Sequence, residues 1–249
     1  MFLFAGFAAI LCTAFIVQIS SAIFDRSAPD LDACPDESLP EFAFIGRSNV
    51  GKSSLLNLLA GSENLARVSP TPGFTKLMNF FTINRSWRLV DLPGYGFAEG
   101  AKKDSARFNQ AVSRYLRERP NLSLVFALID SGLTPQEMDL AFVEWLAGNA
   151  VPFVLVFTKT DKETPAMVQA NIAAFMKSIS AWFERPPASF TCSATKEQGR
   201  QELLGVIEEA MTAIQAESNQ ETDASENPAG PRRKAQPNRK SRPDLHRPW

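Results

Sequence analysis

The sequence predicts a three-layer α/β fold: a mostly parallel sheet with one antiparallel hairpin edge and helices on both faces. Three observations carry this. Beyond Pro35 and Pro40, short apolar runs alternate with amphipathic segments, the pattern of βαβ units. The run Phe42, Ala43, Phe44, Ile45 leads straight into a glycine-bearing turn, Gly46 to Ser54, and then into Leu55, Leu56, Asn57, Leu58 and Leu59, which reads as strand, turn and helix. Later segments place apolar residues at helical spacing, as in Leu203, Val206, Ile207, Met211 and Ile214, whose ordinary role is core packing.

In chain order, an edge strand is expected from Ile16 to Phe24, because this stretch is rich in β-branched and aromatic residues. An apolar extension, Met1 to Phe15, precedes it. Buried strands are expected at 42–45, 123–129, 153–157 and 188–192, each a short apolar run bounded by turn residues. Asn84, Arg85 and Ser86 interrupt an apolar stretch, so 77–83 and 87–91 read as a hairpin. Helices are expected at 52–60, 104–118, 135–147, 165–183 and 197–216. Past Ala216 the chain loses its apolar residues and turns from acidic (Glu217, Glu221, Asp223, Glu226) to basic (Arg232, Arg233, Lys234, Arg239, Lys240, Arg242, Arg247). Such a stretch buries too little surface to offset its ordering entropy, so 217–249 is expected to be a disordered tail. The resulting division is an extension at 1–15, one domain at 16–216 and the tail.

A chain of 249 residues that is 45% hydrophobic can bury one sizeable core. Its net charge of -1 argues against whole-surface attraction to nucleic acid, although the basic half of the tail suits either phosphate contacts with RNA or a plain solubilising role. Cys12, Cys34 and Cys192 form neither a disulfide framework nor a metal spacing, and the single histidine, His246, lies in the tail, so a reduced cytoplasmic setting is expected. Met1 to Phe24 carries no charge, and about 20 apolar residues suffice to span a bilayer, so a membrane tether through 1–24 is the alternative.

The turn GRSNVGKSS fits GxxxxGK[ST], the phosphate-binding P-loop. Gly46 and Gly51 let the backbone of Arg47, Ser48, Asn49 and Val50 wrap an anion, and amides at the helix start point at phosphate oxygens. Lys52 reaches the outer phosphates, and Ser53 offers a hydroxyl to nucleotide-bound Mg²⁺. Downstream, Asp91, Leu92, Pro93 and Gly94 give DxxG at the end of a strand. The aspartate suits water-mediated Mg²⁺ binding and the Gly94 amide suits a γ-phosphate. Thr158, Lys159, Thr160 and Asp161 give TKxD at the end of another strand, Phe153 to Phe157, and a carboxylate at Asp161 accepts from the N1–H and 2-amino group of guanine, a donor pair that adenine lacks. Cys192, Ser193 and Ala194 follow another strand and offer backbone N–H groups to the guanine O6. Each motif alone is weak. Their order, each near the carboxyl end of a strand, points to one guanine nucleotide site.

With its phrases CPDESLPEFAFIGRSNVGKSSLLN, TPGFTKLMNFF, LVDLPGYGFA, LIDSG and TKTDK, the chain resembles the EngB family of bacterial GTP-binding proteins, within the Era-like P-loop GTPases. The resemblance runs from about Ile19 to Ile214. It implies the P-loop GTPase fold, binding of GTP and GDP, slow GTP hydrolysis, and action as a monomer in large ribosomal subunit assembly, with rRNA and ribosomal proteins as partners and a requirement in cell division. By resemblance Gly46 to Ser53 bind phosphates, Ser53, Thr75 and Asp91 serve Mg²⁺, and Gly73, Phe74, Thr75, Lys76 and Leu77 form the first switch loop. Asp91 to Gly94 open the second, and Thr158 to Asp161 with Cys192 to Ala194 take the base. Phe74 and Lys76 flank Thr75 where the family usually has a basic residue and a glutamine.

Lys52, Thr75, Gly94 and Asn49 are the expected catalytic group. Ras-like enzymes orient the attacking water with a glutamine directly after DxxG, whereas this chain has Tyr95 there, so unaided hydrolysis is expected to be slow. Similar GTPases use an asparagine at the position of Asn49 to help hold K⁺. The plain alternative is that Asn49 suits the geometry of the turn. Phe74 and Tyr95 are expected to face a partner, with Phe80 and Phe81 divided between core and surface. A P-loop enzyme phosphorylating a small substrate is the third reading, which TKTD opposes.

Overall fold

The computed structural model describes residues 18–62, 65, 77–95 and 102–226, the side chains of 102–109 and 219–226 excepted. Seven strands form one sheet in the order β1-β3-β4-β2-β5-β6-β7. These are β1 (Ala22–Ala28), β2 (Glu41–Gly46), β3 (Met78–Ile83), β4 (Trp87–Asp91), β5 (Leu122–Asp130), β6 (Phe153–Thr158) and β7 (Ser189–Thr191). The ladders β4–β2–β5–β6–β7 are parallel, while β1–β3 and the β3–β4 hairpin are antiparallel.

Alternation along the strands sends their side chains into two cores. Phe42 and Phe44 of β2, with Trp87, Leu89, Phe126 and Leu128, pack on one face beneath α1 (Lys52–Ala60) and α5 (Arg200–Glu226). Ala43 and Ile45, with Phe80, Val90, Val125 and Ala127, pack on the other against α2 (Lys102–Glu118), α3 (Glu137–Gly148) and α4 (Pro165–Ile179). The result is three layers, and it explains why every residue of β2 is buried and the strand reads as a continuous apolar run. Aromatic pairs tighten the first core: Phe44 stacks on Phe126 at 4.5 Å, and Phe42 meets the edge of Trp87 at 5.5 Å.

Four expectations are corrected. The edge strand occupies Ala22–Ala28 rather than 16–24, with Met1–Val17 outside the described residues. Pairing with β3, not apolar content, fixes its position, and the edge tolerates the polar Asp25, Arg26 and Ser27. Phe80 and Phe81 are both core, on opposite faces, because β1 makes β3 an interior strand and Phe24 packs edge-on against Phe81 at 5.7 Å. Helix α4 ends at Ile179, and Ser180–Trp182 turns more tightly as a 3₁₀ segment. Helix α5 continues to Glu226, through the acidic residues expected to begin the tail, since Glu, Gln and Ala are good helix formers. The remainder of the tail lies outside the described residues, and among these no helix is long and apolar enough to cross a membrane.

At the amino end of β2, the fully buried Glu41 is held by Arg119, whose Nε donates to Oε2 at 2.9 Å and Nη2 to Oε1 at 2.7 Å. The Tyr115 hydroxyl adds a bond to Oε2 at 2.9 Å, and Arg88 Nη1 lies 3.6 Å from Oε1. This charged cluster ties the start of the central strand to the end of α2. The nucleotide motifs lie at the other end of the same strand.

Candidate nucleotide site

Four of the sequence motifs converge at the carboxyl edge of the sheet. The P-loop follows β2, DLPG begins at the last residue of β4, TKTD at the last residue of β6, and Cys192–Ala194 follows β7. Gly73, Phe74, Thr75 and Lys76 lie outside the described residues; Leu77 is exposed directly before β3.

Gly51 takes φ +100°, a conformation that L side chains rarely adopt, and it begins α1 without a side-chain cap. The N–H groups at the start of that helix therefore face the loop, the arrangement that binds an anion. Asn49 also has positive φ, +65°, and is exposed, so turn geometry accounts for its residue type. Lys52 forms a buried ion pair with Asp91, joining the P-loop to DxxG.

The second motif rests directly on the first. Leu92 N–H donates to Phe44 O, Tyr95 N–H to Gly46 O and Ser48 N–H to Tyr95 O, at 3.0, 3.2 and 3.3 Å, so the ladder between β4 and β2 continues past the strand ends. At Gly94 a Cβ would lie 2.9 Å from Gly46 O and 3.2 Å from Ser48 N, a backbone approach that only glycine permits.

The base loop is tied to the P-loop in the same way. Thr158 Oγ1 donates to Val50 O at 2.6 Å, and the stem of Lys159 passes 3.8 Å from where a Cβ on Gly51 would stand. Lys159 itself has φ +60°, and its ammonium donates to Asp130 Oδ2 at 2.7 Å. The Ser193 hydroxyl donates to Asp161 Oδ1 at 2.6 Å and holds that carboxyl below the ordinary aspartate range. An ionised Asp161 is the acceptor that guanine requires. Cys192 N–H donates to Phe157 O and Ser193 N–H to Gln198 O, at 2.8 and 3.2 Å. Of the three amides expected to meet the base oxygen, that leaves Ala194.

A family model described as 50S ribosome-binding GTPase matches residues 41–159. The probable GTP-binding protein EngB of Phocaeicola vulgatus is 46% identical over 200 residues, covering 80% of this chain and 100% of that protein. The chain belongs to the EngB family of GTP-binding proteins. The EngB protein of Porphyromonas gingivalis is 45% identical over 193 residues, 77% of this chain and 96% of its relative. Among solved structures, one of a probable GTP-binding protein EngB shares 23% identity with a TM-score of 0.55, covering 70% of this chain and 99% of that one. Era from Aquifex aeolicus shares 22% with a TM-score of 0.53, covering 68% of this chain and 56% of its own. Both show the same fold. As an EngB-family P-loop GTPase, the chain hydrolyses GTP to GDP and phosphate.

One site expectation for this EngB chain is overturned. Tyr95 is 2% exposed, so it presents no surface to a partner here. Its ring packs 4.5 Å from Phe142, and its hydroxyl donates to Asp139 Oδ1 at 3.0 Å. Burial and the neighbouring Asp139 push the phenol well above its ordinary pKa, so it stays a neutral donor. Burial likewise raises the Asp139 carboxyl, opposed by Arg47, whose Nε lies 3.1 Å from both carboxylate oxygens. Asp139 has no part in the sequence reading, and Asp130 enters it only within one phrase of the resemblance, with no role assigned. Asp130 stands in the LIDSG phrase, and its position at a strand end was the available signal; Asp139 sits in a helix whose polar residues look solvated.

Proposed function

We propose that the chain is a GTP–GDP switch acting on the precursor of the large ribosomal subunit, in the cytoplasm and as a monomer, and needed for normal division. What supports the reading is the match to a 50S ribosome-binding GTPase model together with 46% identity across the whole of an EngB relative. The γ-phosphate would order the switch loops at Thr75 and Gly94, and its loss would release them, giving two surfaces that a partner can distinguish.

The carboxylate of Asp91 and the hydroxyl of Ser53, the residue after the Lys52 that pairs with Asp91, are hard oxygen donors of the kind Mg²⁺ takes. With Thr75 they are the residues proposed to hold it. The ion would offset charge on the outer phosphates, while Lys52 and the α1 amides grip the same oxygens. Since Tyr95 is buried, water activation falls to groups outside that position and intrinsic turnover is slow. K⁺ beside Asn49 and an RNA contact by the basic tail complete the reading.

Cosedimentation with ribosomal particles tests it. The chain is expected to pellet with the large subunit in a non-hydrolysable GTP analogue with Mg²⁺, and to stay in the supernatant with GDP. Pelleting with membranes regardless of nucleotide would contradict the proposal.

A further inference from the structure

Asp139 is the buried carboxylate at this site to which guanine nucleotide binding gives no part. It lies in the first turn of α3, where the helix dipole favours a negative charge, and only 1% of the residue is exposed. Two groups converge on it from different motifs. Arg47, the second residue of the P-loop, reaches it through Nε at 3.1 Å from both oxygens, and Tyr95, the residue after DxxG, through its hydroxyl at 3.0 Å. Phe142, one turn further along α3, packs on the Tyr95 ring.

These contacts fix Tyr95 at both ends. Its backbone is laddered to Gly46 and Ser48, and its side chain is anchored to α3. Gly94 is thereby pressed on the P-loop, with Gly46 O 2.9 Å and the Arg47 carbonyl carbon 3.4 Å from where a Cβ would lie. The tyrosine is thus a strut between the P-loop and α3.

We propose that Asp139 is a positioning residue for γ-phosphate recognition: by holding Arg47 and Tyr95 together it fixes the Gly94 amide above Gly46–Ser48. The inference rests on the guanine nucleotide reading and adds how that site tells a triphosphate from a diphosphate. GDP has no group that reaches the Gly94 amide, whereas a triphosphate does. Loss of the strut therefore weakens triphosphate binding selectively.

The test compares GMPPNP and GDP affinities, by calorimetry on the full chain, for the unmodified protein, Asp139→Ala, Tyr95→Phe and the double variant. Asp139→Ala is expected to weaken GMPPNP about tenfold, the scale of one hydrogen bond to a charged group, and GDP by less than about threefold. Tyr95→Phe shifts the ratio in the same direction by less. The double variant is expected to match Asp139→Ala, because both changes break the same hydrogen bond. Equal losses of GMPPNP and GDP, an unchanged ratio, or additive effects in the double variant would overturn the proposal. If Asp139→Ala does not fold, Tyr95→Phe, which keeps the ring on Phe142, decides by its ratio alone. Absence of GDP binding to the unmodified chain would overturn the underlying reading and this inference with it.

Discussion

Asp161→Asn is expected to exchange guanine for xanthine as the preferred base. In the proposed site the Asp161 carboxylate, held ionised by the Ser193 hydroxyl, would accept from two guanine donors, whereas an amide would present an N–H₂ to one of them. Hydrogen bonds to a charged group contribute about 1.5–3 kcal/mol each and neutral ones about 1 kcal/mol, so losing one and reducing the other to a neutral bond weakens GDP roughly 10²- to 10³-fold. Xanthine carries an oxygen in place of the 2-amino group and matches the new donor, so xanthosine diphosphate is expected to bind the variant more tightly than GDP does. Competition between the two nucleotides, read by displacement of a fluorescent GDP analogue, checks both halves. The fold should not suffer, because Asp161 is partly exposed and the loop is also pinned by the Thr160 and Thr158 hydrogen bonds. An unaltered preference for GDP would remove Asp161 from base recognition.

Glu41→Ala is expected to destabilise the fold by about 3–5 kcal/mol, the cost of removing one partner of a buried ion pair. The magnitude follows from what stays behind. Arg119 and Arg88 would keep their guanidinium groups in the interior, with Tyr115 losing its acceptor as well. For a domain of this size the loss corresponds to a melting point lower by roughly 6–20 °C. The cluster stands five residues below the P-loop along β2, roughly 16 Å away, so the folded fraction should bind GDP within about twofold of the unmodified chain. Urea unfolding with parallel GDP titration separates the two effects. An unchanged midpoint would mean that solvent or rearrangement compensates the arginines, and a selective loss of GDP affinity would mean that the two ends of the strand communicate.

How much of this was legible depends on where the physics was local. The P-loop, the hairpin and the four parallel strands were readable because each is a short apolar run bounded by its own turn residues, and β2 shows this best, with every side chain buried and Gly46 closing it. The edge strand was not. Ala22–Ala28 is set by its antiparallel register on β3, and its exposed face carries Asp25 and Arg26, which no periodicity marks as strand. The same pairing buried Phe81, which a two-stranded edge would have left in solvent. The convergence of TKTD and the Ser193 region on one edge of the sheet was legible because each stands at the end of a strand. The Arg47–Asp139–Tyr95 cluster was illegible because it joins residues far apart in the chain, and Asp139 looks like any polar residue in the first turn of a helix.

The central claim is that the edge formed by β2, β4, β6 and β7 is a guanine nucleotide site. Calorimetric titration of the unmodified chain with GDP and with ADP tests it most directly. The account predicts saturable one-to-one binding of GDP and at least about 10³-fold weaker binding of ADP, since adenine leaves the Asp161 carboxylate without its donor pair. Comparable affinity for the two would contradict it.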